Sequence, residues 1–96
     1  MTDRELLEAA AKAAGVAWNS SHALDDSLWV PAFDRYWDPL TDDGDAMRLA
    51  VALCINIELS PSGVFAGGTF SEAADGDLGA ATRRAIVRAA AAMVTP

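Results

Sequence analysis

Apolar residues Leu6, Leu7, Ala9, Ala10, Ala13 and Ala14 recur at the spacing of one wide helical stripe, with Arg4, Glu5, Glu8, Ala11 and Lys12 opposite. Thr2 followed three residues later by Glu5 has the form of a capping box, in which each side chain satisfies the other residue's backbone N–H. Arg4–Glu8 and Glu8–Lys12 are i,i+4 pairs. Gly15 suits the left-handed residue that ends a helix. The pattern predicts a helix over 3–14. A second helix starts at Thr41-Asp42-Asp43, where Thr41 or Asp42 can cap and the acids complement the helix dipole. Ala46, Met47, Leu49, Ala50, Val51, Leu53 and Cys54 cover most of its girth, leaving Asp45, Arg48 and Ala52 as a solvent stripe. A helix so apolar is expected at the centre of a fold.

The period then changes to two. Ile55, Ile57 and Leu59 alternate with Asn56, Glu58 and Ser60, as in a strand with one buried face. Ser60-Pro61-Ser62-Gly63 forms a turn, and Val64 to Phe70 returns as the hairpin partner, with Gly67-Gly68 weakening it or marking a bulge. Residues 71–77 read as a polar connection. A third helix follows at about 78–93, with Leu78, Ala81, Ala85, Ile86, Ala89 and Met93 on one stripe, Arg84 and Arg88 away from it and Val87 on the far side. Residues 16–41 resist a periodic reading. Val16-Ala17-Trp18 and Leu28-Trp29-Val30 each suit a short strand, and Pro31 and Pro39 interrupt any long element. The predicted class is α+β: a small antiparallel sheet, with a hairpin at about 54–70, packed with three helices at about 3–14, 42–54 and 78–93, in a single domain spanning 1–96.

Composition tempers this picture. Of the hydrophobic 52%, 21 residues are Ala, while Leu, Ile, Val and Phe also total only 21. Ala faces allow close helix packing but bury little area each, so Leu6, Leu49, Ile55, Ile57 and Leu59 are expected to carry disproportionate weight. The net charge of −7 disfavours direct binding to nucleic acid and docking on anionic membranes. Residues 1–77 hold 4 bases and 14 acids, whereas 78–96 hold Arg83, Arg84 and Arg88 and no acid. Such a segment either guides self-association or a partner, or places its bases on the solvated face of a helix. The start lacks the basic and apolar regions of a signal peptide, which points to a reducing cytosol.

Candidate chemistry is sparse. Cys54 alone excludes an intramolecular disulfide, and its apolar run predicts a buried, inert thiol. The acids Asp42, Asp43 and Asp45 invite a Ca²⁺ or Mg²⁺ reading, but the next acid is Glu58, across a helix, and N-terminal capping with dipole complementarity is the simpler expectation. His22 pairs only in imagination with Ser20, Ser21 or Cys54 as a nucleophile–base couple, and a solvent-exposed loop histidine is the simpler expectation. No catalytic residue, cofactor or metal is expected. Five of the seven aromatics, Trp18, Trp29, Phe33, Tyr36 and Trp37, crowd into the irregular segment. They either lid the core or form a contact surface, since Trp and Tyr are enriched in binding hot spots. Trp37 is expected in the core; Trp18, Trp29, Phe33 and Tyr36 are the candidate partner contacts.

The string Trp37-Asp38-Pro39-Leu40-Thr41-Asp42-Asp43-Gly44-Asp45-Ala46-Met47-Arg48-Leu49-Ala50-Val51 resembles a family of small phage and prophage proteins of unassigned activity, described as a phage αβα-sandwich domain. The stretch Ala80 to Ala91 and the opening Met1 to Leu7 resemble it too. The resemblance implies an αβα-sandwich-like arrangement, a phage or prophage origin and a bacterial cytoplasm. It implies no reaction, and no catalytic residue is carried over. The expected function is that of an accessory protein acting by contact with an unknown protein or with itself as a homo-oligomer. Two alternatives are an acidic DNA mimic that inhibits a host nucleic-acid-binding protein, and a small metal-dependent or ligand-binding protein using the Asp42-Asp43-Asp45 corner.

Overall fold

The structure, a computed structural model, describes residues 1–24 and 26–94, with the backbone alone for 21–24. The chain runs α1 (Asp3–Ala14), β1 (Asn19–Leu24), β2 (Ser27–Val30), β3 (Arg35–Trp37), α2 (Asp43–Ala52), β4 (Ile57–Ser60), β5 (Gly63–Ala66), β6 (Phe70–Ala73) and α3 (Leu78–Ala91). The class is α+β, as expected, with layered helices and antiparallel strands. The strands form two three-stranded sheets, β1-β2-β3 and β4-β5-β6. The first was only hinted at by Leu28-Trp29-Val30. The third strand of the second sheet replaces the expected polar connection.

Local chemistry sets the helix ends. Thr2 and Glu5 form the full capping box, and Gly15 closes α1 at φ 71°. Asp42 caps α2 by accepting from the Asp45 N–H, and Asp77 caps α3 by accepting from the Ala80 N–H. Gly67 and Gly68 lie after β5, not within it. Both have positive φ, 63° and 73°, and turn the chain into β6.

Helix α3 is the centre of the molecule. It packs against α1, α2, β5 and β6. This explains why Val87, placed by the periodicity on a far side, is fully buried: α3 has core on more than one flank. Ala11 is buried in α1 for a similar reason, because that helix meets both α3 and β2. The outer position expected to be solvated is thereby filled by a small side chain.

The helix expected to be central is instead peripheral. Met47 and Val51 of α2 are exposed, Val51 by 68%, while Asp45 on the opposite flank is buried. Leu59 is also corrected, at 61% exposed. It sits opposite Val64 in the sheet register, on the face that packs on the core, but β4 is an edge strand that α3 barely reaches. Ile55 is buried and Ile57 partly buried, so the alternation has the expected phase but loses its cover toward the end of β4. Cys54 is exposed rather than buried. It follows the α2 C-cap at φ 54°, where the chain reverses and turns its side chain out of the apolar run.

Candidate functional site

The first sheet sorts the aromatic residues by strand parity. Leu28, Val30 and Trp37 face inward and are buried. Trp29 lies directly opposite Tyr36 across β2 and β3 on the other face. Their rings meet edge to face, with centroids 5.1 Å apart and planes at 72°. Both are partly exposed, and neither belongs to the core cluster. Ser27 and Asp38 continue this outer row at one end, joined by a hydrogen bond from Ser27 Oγ to Asp38 Oδ2 of 3.0 Å. Asp26 precedes β2 at that end. Asp34 lies at the opposite end, in the β2–β3 turn. Asp26 and Asp34 are exposed.

The other two candidate contacts do not join this pair. Phe33 is exposed in the β2–β3 turn, with the Arg35 guanidinium 5.4 Å from its ring centroid. It borders a shallow apolar slot shared with Val16, Trp37 and Leu49. Trp18 leans on the core beside α1, next to Ala9 and Lys12. Trp37 is in the core, as expected. The four residues grouped by sequence therefore resolve into one outward pair, Trp29 and Tyr36, and two residues elsewhere. A period-two reading of Ser27-Leu28-Trp29-Val30 separates Trp29 from its neighbours, and that was the available signal.

The acidic corner is a structural knot. Asp45 is 1% exposed, and its carboxylate accepts from Arg35 at 2.8 and 3.2 Å, from Arg48 at 2.9 Å and from the Asp38 N–H at 3.0 Å. Burial pushes its pKa up, but the bonds from Arg35, Asp38 and Arg48 outweigh this and hold it below the usual aspartate value. Asp38 also stabilises the bend into α2, its Oδ1 accepting from the Leu40 N–H at 3.0 Å. Pro39 is fully buried beside it. Asp43 is held by Arg83 at 2.7 Å, and Asp42 serves as the cap. The carboxylates of this corner are thus aimed at arginines and at backbone amides. Among the described residues no cluster of three or more metal-ligating side chains is found. The string that carries the phage-family resemblance coincides with this knot. Its Trp, Pro, capping Asp and buried Asp all have structural duties.

The bases of the C-terminal segment are likewise paired within the fold. Arg83 bonds Asp43 and the Leu40 carbonyl, Arg84 bonds Asp3 at 2.9 Å, and Arg88 pairs with Glu72. Each ties α3 to a different neighbour: the start of α2, the start of α1, and β6. Arg88 also lies 5.2 Å from the Phe70 ring centroid. These contacts border an open cleft of about 520 Å³ between α1, α3 and β6, lined by Met1, Leu6, Phe70, Glu72, Arg84 and Arg88 among others. His22 falls among residues 21–24, whose side chains lie outside the described structure. No helix among the described residues is long and apolar enough to cross a membrane.

No protein-family model, curated protein or solved structure matches this chain.

Proposed function

We propose that this chain is a non-enzymatic phage or prophage accessory protein that works in the bacterial cytoplasm by protein–protein contact, through the outer face of its first sheet. The observation that carries the reading is the Trp29–Tyr36 pair, two partly exposed aromatic rings on a sheet face outside the core cluster. Trp and Tyr bring large contact area at low entropic cost and are favoured as binding anchors. The phage origin rests on the resemblance of the Trp37–Val51 string.

The two alternatives draw less from the geometry. Asp3, Glu8, Asp42, Asp43, Asp45 and Glu72 each pair with an arginine, so much of the charge that would imitate phosphates is neutralised within the fold. A metal at the Asp42-Asp43-Asp45 corner would have to displace Arg35, Arg48 and Arg83.

The test is capture from host cells with wild-type protein and with the W29A/Y36A double variant, after circular dichroism confirms that both are folded. Light scattering on each reports self-association. A partner, or a second copy, held by wild type and lost from the folded variant is expected. Equal capture by both would transfer the contact to another face. A monomer that captures nothing would refute the reading.

A further inference from the structure

We infer that the Trp29–Tyr36 face receives an arginine-rich segment of its protein partner; this rests on the reading of that face given above. Three observations converge. First, the aromatic pair is flanked by carboxylates: Asp26 and Asp38 at one end of the row and Asp34 at the other. A segment crossing the row from end to end would meet acid, then two aromatic rings, then acid. Second, the six arginines, all among the described residues, have carboxylate partners of their own. Arg35 projects from the opposite face of β3 onto Asp45, and Arg48, Arg83, Arg84 and Arg88 sit on α2 and α3 with carboxylates of their own. Two of them also touch the backbone of the row, Arg35 at the Tyr36 carbonyl and Arg4, from α1, at the Ser27 carbonyl, but their charges are paired with Asp45 and Glu8. The face therefore offers a negative rim to whatever docks. Third, the chain twice places guanidinium over an aromatic ring, Arg35 on Phe33 and Arg88 on Phe70.

Arginine fits these features better than lysine. Its planar guanidinium stacks on an aromatic ring while its fork of donors reaches a carboxylate at the ring's edge. An ammonium is a strongly hydrated point charge and gains less from the same rings. A nucleic acid or a second acidic surface would be repelled by the three aspartates.

The test is calorimetric titration of the intact protein with two probes of equal charge, hexa-arginine and hexa-lysine peptides, at about 0.15 M salt to suppress contacts made by long-range charge alone. Three proteins are compared: wild type, W29L, which keeps apolar bulk but removes the π face, and E58Q, which removes an exposed acid from the second sheet. Hexa-arginine is expected to bind wild type about fivefold more tightly than hexa-lysine, and W29L to lose about fivefold. E58Q is expected to stay within about twofold. Equal binding of the two peptides, or equal effects of W29L and E58Q, would overturn the inference. Should W29L misfold, Y36L takes its place, with the same outcomes. If capture of the cellular partner depends on Trp29 and Tyr36 while hexa-arginine binding does not, this inference fails and the proposed function stands. If neither depends on them, both fail.

Discussion

Replacing Asp45 by asparagine isolates the charge of a buried carboxylate while keeping its size. In the native protein this group accepts three bonds from two guanidinium groups and one from a backbone amide. The amide of D45N can accept on one atom only, so at least one guanidinium and the Asp38 N–H compete for it. Removing a partner from a buried pair costs about 3–5 kcal/mol when both charges are enclosed. Here the Arg35 and Arg48 side chains are 43% and 66% exposed, so water screens them and recovers part of the loss. The expected cost is about 2–4 kcal/mol, the lower part of the range for breaking charge-assisted bonds together with an amide. For a domain of this size that lowers the Tm by roughly 10–25 °C. The pH dependence follows from the direction of the pKa shift. Asp45 has a folded pKa held below its unfolded value of 3.8, so its contribution is complete above the unfolded value. It is lost as pH falls through the folded pKa. Urea denaturation at pH 7 and at about pH 2.5 should therefore show a gap between wild type and D45N that narrows on acidification. A cost below about 0.5 kcal/mol at pH 7, or a gap unchanged by acid, would refute the assignment of Asp45 as an ionised hub.

Two further substitutions test the packing. Ile86→Ala, in the centre of α3, should cost about 2–5 kcal/mol in denaturant titration, whereas Leu59→Ser should stay within about 0.5 kcal/mol because Leu59 is uncovered. The reverse order would restore the ranking that the alternating sequence suggests. Gly63→Ala should destabilise by about 1–3 kcal/mol, since its Cβ would lie 2.5 Å from the Glu72 carbonyl oxygen on the neighbouring strand. Hydrogen exchange should locate the loss at β5 and β6, and an unperturbed β6 would contradict that register.

The features legible in the sequence are those decided within a few residues. Thr2 with Glu5, Asp42 with Asp45 and Asp77 with Ala80 are caps whose partners lie three positions away. The hairpin around Pro61 is legible for the same reason. Longer-range features were not. Asn19-Ser20 opens a strand although both residues favour turns, because pairing with β2 overrides local preference. Phe70-Ser71-Glu72-Ala73 has little apolar alternation, and β5 supplies the pairing that makes it a strand. Asp45 reads as solvated in the sequence because its principal partner, Arg35, lies ten residues earlier, on a strand without a periodic signature. Of the candidate contacts, the sequence supplied the residue types, and the register of β2 against β3 chose Trp29 and Tyr36 from among them.

The central position of α3 also has a consequence in time. Ribosomes deliver residues 3–77 before this helix, so α1, α2 and the second sheet emerge with their apolar faces lacking the element they all meet. A nascent chain at that stage is exposed to aggregation and to holding chaperones, and consolidation of the core must wait until the last turns of α3 have cleared the exit tunnel.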